Sequence, residues 1–101
     1  MKRPFGYGDL IWEMFDSPYL IIFHAYTDPK GQDKVSVRIA TASEDAYYPI
    51  AQYDGDDRDR AIGFALEVQA ASDQISEIFE AWTSGETIDV KAEVYAIVGE
   101  P

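Results

Sequence analysis

The sequence predicts an α+β domain: a mostly antiparallel sheet of three to four strands, one long helix or two consecutive helices packed on one face, and a short N-terminal helix. Three observations lead there. Val35, Val37 and Ile39 alternate with Lys34, Ser36 and Arg38, the period-two pattern of a strand with one buried and one wet face. Asp28-Pro29-Lys30-Gly31 supplies turn residues between that segment and the aromatic, β-branched run before it. Ala61, Phe64, Ala65, Val68, Ala71, Ile75, Ile78, Phe79 and Trp82 recur at steps of three and four, which lines one face of a helix.

In chain order, residues 9–15 read as a short helix or strand, with one or two helical turns preferred, stopped at Ser17 and Pro18. Residues 19–27 and 34–41 form a hairpin. Residues 47–53 make a third strand, which Pro49 assigns to an edge or a strand start. The helix runs over residues 57–83, and Ser72-Asp73 offers a second start within it. Gly85 stands where the helix stops. Residues 87–98 then return as a strand, with Ile88, Val90, Ala92, Val94, Ala96 and Val98 on one face. Residues 1–101 thus form a single domain, without repeats or linkers, of a size that supports one modest core.

Composition narrows the function classes. With no cysteine, disulfide frameworks, thiolate zinc sites and cysteine nucleophiles are excluded. Lys2 and Arg3 are followed by Gly6, Gly8, Asp9 and Glu13, which break any signal-like apolar stretch, so a cytoplasmic location and no membrane association are expected. The net charge of -11 is uneven. Residues 42–89 hold twelve acids against Arg58 and Arg60, whereas residues 1–41 balance five acids with five bases. Such a chain repels nucleic acid and anionic lipid and attracts a basic protein surface.

The densest charge, in QYDGDDRDRA at residues 52–61, admits three readings. As a calcium loop begun at Asp54 it fails, with Arg58 at the fifth position, Asp59 in place of the glycine and Ala65 in place of the bidentate glutamate. As a helix start, Asp54 or Asp56 caps the first amides and the other carboxylates meet the positive end of the helix dipole. As a functional surface, Asp54, Asp56, Asp57 and Asp59 join Asp73, Glu77 and Glu80, which are spaced four and three residues apart on one helix face. Carboxylates about 6 Å apart in such a row approach the repeat of phosphates along a strand of nucleic acid. Tyr47, Tyr48 and Tyr53 border the acidic stretch and would give a basic partner apolar anchors with polar tips. Tyr26 and Tyr95 are expected on strands, facing away from the core.

Catalytic constellations are lacking. His24 is the only histidine, has no second histidine for metal ligation, and reads as a strand histidine bonded to a neighbour. Gly6-Tyr7-Gly8 starts like a dinucleotide loop, but Ile11 stands where its third glycine belongs. No enzyme, cofactor or metal is expected. In character, though in no motif, the chain resembles the small acidic proteins of phages that block restriction, CRISPR or DNA-repair machinery, and the immunity proteins that cover a nuclease toxin. That resemblance implies an inhibitor that occludes a basic nucleic-acid-binding surface by charge mimicry. The alternative is an assembly module that pairs with itself or another protein through sheet-face residues such as Tyr95 and Ile97, its acidity serving solubility alone.

Overall fold

A computed structural model describes residues 9–43 and 45–101. The Gly6-Tyr7-Gly8 stretch and the Lys2-Arg3 pair lie outside the described residues.

Four strands, β1 (Leu10–Glu13), β2 (Tyr19–Thr27), β3 (Asp33–Thr41) and β4 (Tyr47–Asp54), make an antiparallel meander in the order β1-β2-β3-β4. After a 3-10 turn over Gly55–Asp57 come α1 (Arg58–Ala70), α2 (Ser72–Thr83) and α3 (Val90–Val98). The described chain is therefore α+β, with the helices following the sheet and packing on one side of it.

The segment expected as an N-terminal helix is instead the edge strand β1. Leu10 and Trp12 turn to the core while Ile11 and Glu13 are exposed, a period of two that four residues can satisfy only as a strand. Backbone pairing with β2, from Leu10 opposite Phe23 to Glu13 opposite Leu20, supplies the hydrogen bonds that so short a helix cannot make for itself.

The β2–β3 turn works as its residues imply. The Asp28 carboxylate accepts from the Lys30 and Gln32 amides, both at 2.9 Å, and Gly31 takes a φ of 81°. β4 is indeed an edge strand, and Pro49 sits within it opposite Arg38 beside an irregularity in the β3–β4 register. There Ile50 and Ala51 both join the helix-side core.

The helical stripe breaks at Ala71, so two consecutive helices replace one long one. Ser72 donates to the Gln69 carbonyl and accepts from the Phe15 amide at 3.0 Å, locking the bend against the β1–β2 turn. Gly85, at φ 96°, follows the end of α2.

The final segment is a helix, not the strand expected from its alternation. Val90, Val94 and Val98 recur every four residues, so the same apolar set also fits a helix, and Ala92 and Ala96 are left exposed. Asp89 decides the matter locally, its carboxylate accepting from the Ala92 amide at 3.1 Å as a helix cap. Tyr95 and Ile97 accordingly belong to α3, where they pack against the core cluster, and the Tyr95 hydroxyl donates to the Ile50 carbonyl on β4.

All three helices cover the face formed by Ile21, Phe23, Val35, Val37 and Ile39. The opposite face of the sheet carries no described helix or strand.

Candidate functional site

Strand register places the predicted acidic residues at two opposite ends of the domain. Asp54 pairs with Lys34 at the end of the sheet where Thr27 meets Asp33. α2 lies at the other end, where Tyr19 packs edge-on against Phe79 at 4.8 Å and Tyr48 against Trp82 at 5.1 Å. The two ends are separated by the length of β2, nine residues at about 3.3 Å each. No single surface brings Asp54–Asp59 together with Asp73, Glu77 and Glu80.

At the first end the charge is partly neutralised. Lys34 Nζ donates to Asp54 Oδ1 at 2.7 Å, and that hydrogen bond, reinforced by the ammonium charge, holds the Asp54 carboxyl below its ordinary value. Arg60 approaches Asp57 at 3.9 Å. Arg58 lies over the Phe23 ring at 4.8 Å and Arg60 over Tyr53 at 5.8 Å, so both arginines cover aromatic rings. Of the two residues expected to cap, Asp54 stands at the N-terminus of the 3-10 turn without a side-chain cap hydrogen bond and Asp56 lies inside that turn; Asp57 precedes α1, also without one, and Asp56 and Asp59 are left exposed. The carboxylates still sit in the first turn, where the helix dipole favours them.

Tyr53, expected as a docking anchor, is buried instead. It faces the helices opposite Val35, and its hydroxyl has no hydrogen-bond partner among the described residues. Burial pushes its phenol up to about 12. It cannot serve as a surface anchor.

At the second end the acidic row is intact. Asp73, Glu77 and Glu80 are all exposed on α2, and no described base forms an ion pair with any of them. From residue 61 to the end of the chain the only base is Lys91. The two tyrosines near this end divide between faces: Tyr48 turns to the core beside Trp82, while Tyr47, 48% exposed, lies on the opposite face under Arg38. Tyr47 is thus the one predicted anchor that remains accessible.

A further polar constellation escaped the sequence reading. Extending the β1–β2 register by one residue places Asp9 beside His24, and the β2–β3–β4 register continues through Ser36 to Gln52, so four polar residues cross the sheet in one row. Asp9 meets His24 Nδ1 at 3.0 Å and also accepts from the Ala25 amide. His24 stacks on Tyr26 with centroids 5.5 Å apart, and Tyr26 accepts from Gln52. In the adjacent row Arg38 donates to Ser36 Oγ at 3.3 Å and covers the Tyr47 ring at 4.8 Å. The strand alternation in the sequence signalled that these residues share a face. Only pairing could align them.

The described residues hold no group of three or more acidic or histidine side chains placed to bind a metal ion. No described helix is long and apolar enough to cross a membrane. Neither a family model, nor a curated protein, nor a solved structure matches the chain.

Proposed function

We propose that this protein is an acidic inhibitor that occludes the basic, nucleic-acid-binding surface of an enzyme or complex, as phage anti-defence proteins and nuclease immunity proteins do. The observation that carries the reading is the α2 row. Three carboxylates stand on one exposed helix face without a described counter-ion, although like charges at three- and four-residue spacing cost a few tenths of a kcal/mol per pair. In this reading Asp73, Glu77 and Glu80 dock, of the three tyrosines Tyr48 beside Trp82 lies nearest them, Tyr47 on the opposite face of the sheet takes no part in that contact, and Asp54, Asp56, Asp57 and Asp59 at the far end contribute long-range steering rather than contact. The mechanism involves no turnover, cofactor or metal.

The experiment is affinity capture from host lysate at about 50 mM and about 500 mM salt, alongside a Glu77→Lys/Glu80→Lys variant. Capture of a nucleic-acid enzyme whose activity falls on binding, and which is lost with salt and with reversal, supports the inhibitor. Capture indifferent to both assigns the acidic face to solubility.

A further inference from the structure

Phe15 is the most exposed large apolar side chain of the described surface, at 57%. A single exposed phenylalanine is ordinary on a protein surface. This one is set apart by how its backbone is held and by what surrounds it. The Phe15 amide donates to Ser72 Oγ at 3.0 Å, the Ser17 and Ser76 hydroxyls meet at 2.8 Å, and the Met14 amide donates to the Tyr19 carbonyl at 3.1 Å. The β1–β2 turn is therefore tied to α2 at two points and closed on itself at a third, and it presents the Phe15 ring to solvent from a fixed base.

Helical geometry puts the acidic row on the flank of α2 that borders this turn. At 3.6 residues per turn, Glu80, Asp73 and Glu77 all fall to one side of Ser76, the residue that touches Ser17, and within about 100° of it. Asp16, next to Phe15, and Glu13 add two more exposed carboxylates, and neither forms an ion pair with a described base. Leu66, 45% exposed, widens the apolar centre: it stands one turn before Gln69 on α1, whose side-chain amide donates to the Glu13 carbonyl at 2.8 Å.

Given the inhibitor reading, on which this inference rests, we propose that Phe15 is the apolar anchor of the docking face and enters a pocket of the target that otherwise holds an unstacked base. Charge complementarity selects this partner. An aromatic ring bordered by Asp16, Asp73, Glu77 and Glu80 fits an apolar cavity rimmed by lysine and arginine. Proteins that bind single-stranded or flipped-out bases combine those two features, a cationic groove for the phosphates and a stacking pocket for the base. A protein that holds duplex through its phosphates and groove edges would match the carboxylates but offer the ring no cavity. The phenyl ring has the flat six-membered face of a pyrimidine and no polar tip, so it satisfies such a pocket by stacking alone. Because the turn is already fixed, docking orders little more than one side chain, the condition under which a single aromatic contributes most to affinity.

The test is displacement from immobilised nucleic acid. Host lysate is passed over oligothymidylate and over duplex DNA of the same length, and each bed is washed with the full chain at about 100 µM and about 50 mM salt. The expected result is release of a protein from the single-stranded bed. Once that protein is identified and purified, its binding to fluorescein-labelled oligothymidylate should be competed by the chain. Phe15→Ser should weaken this competition at least about tenfold and Phe15→Trp should retain it, with circular dichroism verifying that both variants fold. Release from the duplex bed alone, or competition by Phe15→Ser equal to that of the wild type, overturns the anchor. If Glu77→Lys/Glu80→Lys nevertheless abolishes competition, the acidic docking face stands and only the role of Phe15 falls. Competition that survives both sets of substitutions, or release from neither bed, overturns the inhibitor reading together with the anchor.

Discussion

Ser72 Oγ accepts a 3.0 Å hydrogen bond from the Phe15 amide, 57 positions earlier in the chain, and donates to the Gln69 carbonyl one turn before it. One buried hydroxyl thus ends α1, begins α2 and ties the junction to the β1–β2 turn, with Ser17 and Ser76 adding a 2.8 Å hydroxyl pair alongside. Ser72→Ala leaves the Phe15 amide without its acceptor. We expect a loss of about 1–3 kcal/mol, read as a lower urea midpoint at unchanged slope.

Tyr53 makes the opposite prediction, because its hydroxyl is buried with nothing described to bond to. Tyr53→Phe should leave stability unchanged or raise it, since only an unsatisfied polar group is removed. The phenol is raised to about 12, first by burial, with the nearby Arg60 charge opposing. A folded-state value above the unfolded one means stability that is complete below about pH 10 and is lost as pH rises towards 12. Alkaline unfolding curves of the wild type should therefore fall over that interval more steeply than those of Tyr53→Phe.

The Lys34–Asp54 pair acts at both ends of the pH scale. Its hydrogen bond holds Asp54 below its ordinary 3.8, so the pair's contribution is present above that value and disappears as pH falls through the folded-state one. Lys34 is raised above 10.5 by the same bond, and that part is lost as pH climbs past 10.5. Because both side chains meet solvent, salt should diminish the effect. Carboxyl NMR titration should place Asp54 below 3.8 in the wild type and return it towards 3.8 in Lys34→Met.

Two glycines distinguish close approach from simple permissiveness. A Cβ on Gly55 would stand 2.8 Å from the Asp33 Cβ and 3.2 Å from the Asp33 carbonyl oxygen, where the 3-10 turn crosses the start of β3. Gly55→Ala should cost about 1–3 kcal/mol. Gly63, exposed inside α1, has nothing within 4 Å of such an atom, so Gly63→Ala should stabilise by about 0.5–1 kcal/mol. Thermal melts of the two variants should move in opposite directions.

The sequence by itself determined the parts of this protein in which local chemistry and periodicity agree. Val35, Val37 and Ile39 fit only a strand, Asp28 and Gly31 only a turn, and the Ala61-to-Trp82 stripe only helix. Where one pattern satisfied two periods, the sequence misled. Val90, Val94 and Val98 suit both alternation and a four-residue helical step, and the sheet's last place went elsewhere, because β1 could pair with β2 through a short local turn while Asp89 capped a helix. The acidic row on α2 was legible because its three carboxylates lie within one helix. Its separation from Asp54–Asp59, the burial of Tyr53, and the alignment of Asp9, His24, Ser36 and Gln52 were not. These depend on strand register and on which sheet face the helices cover, long-range choices made by the packing of the whole core rather than by any local stretch of chain.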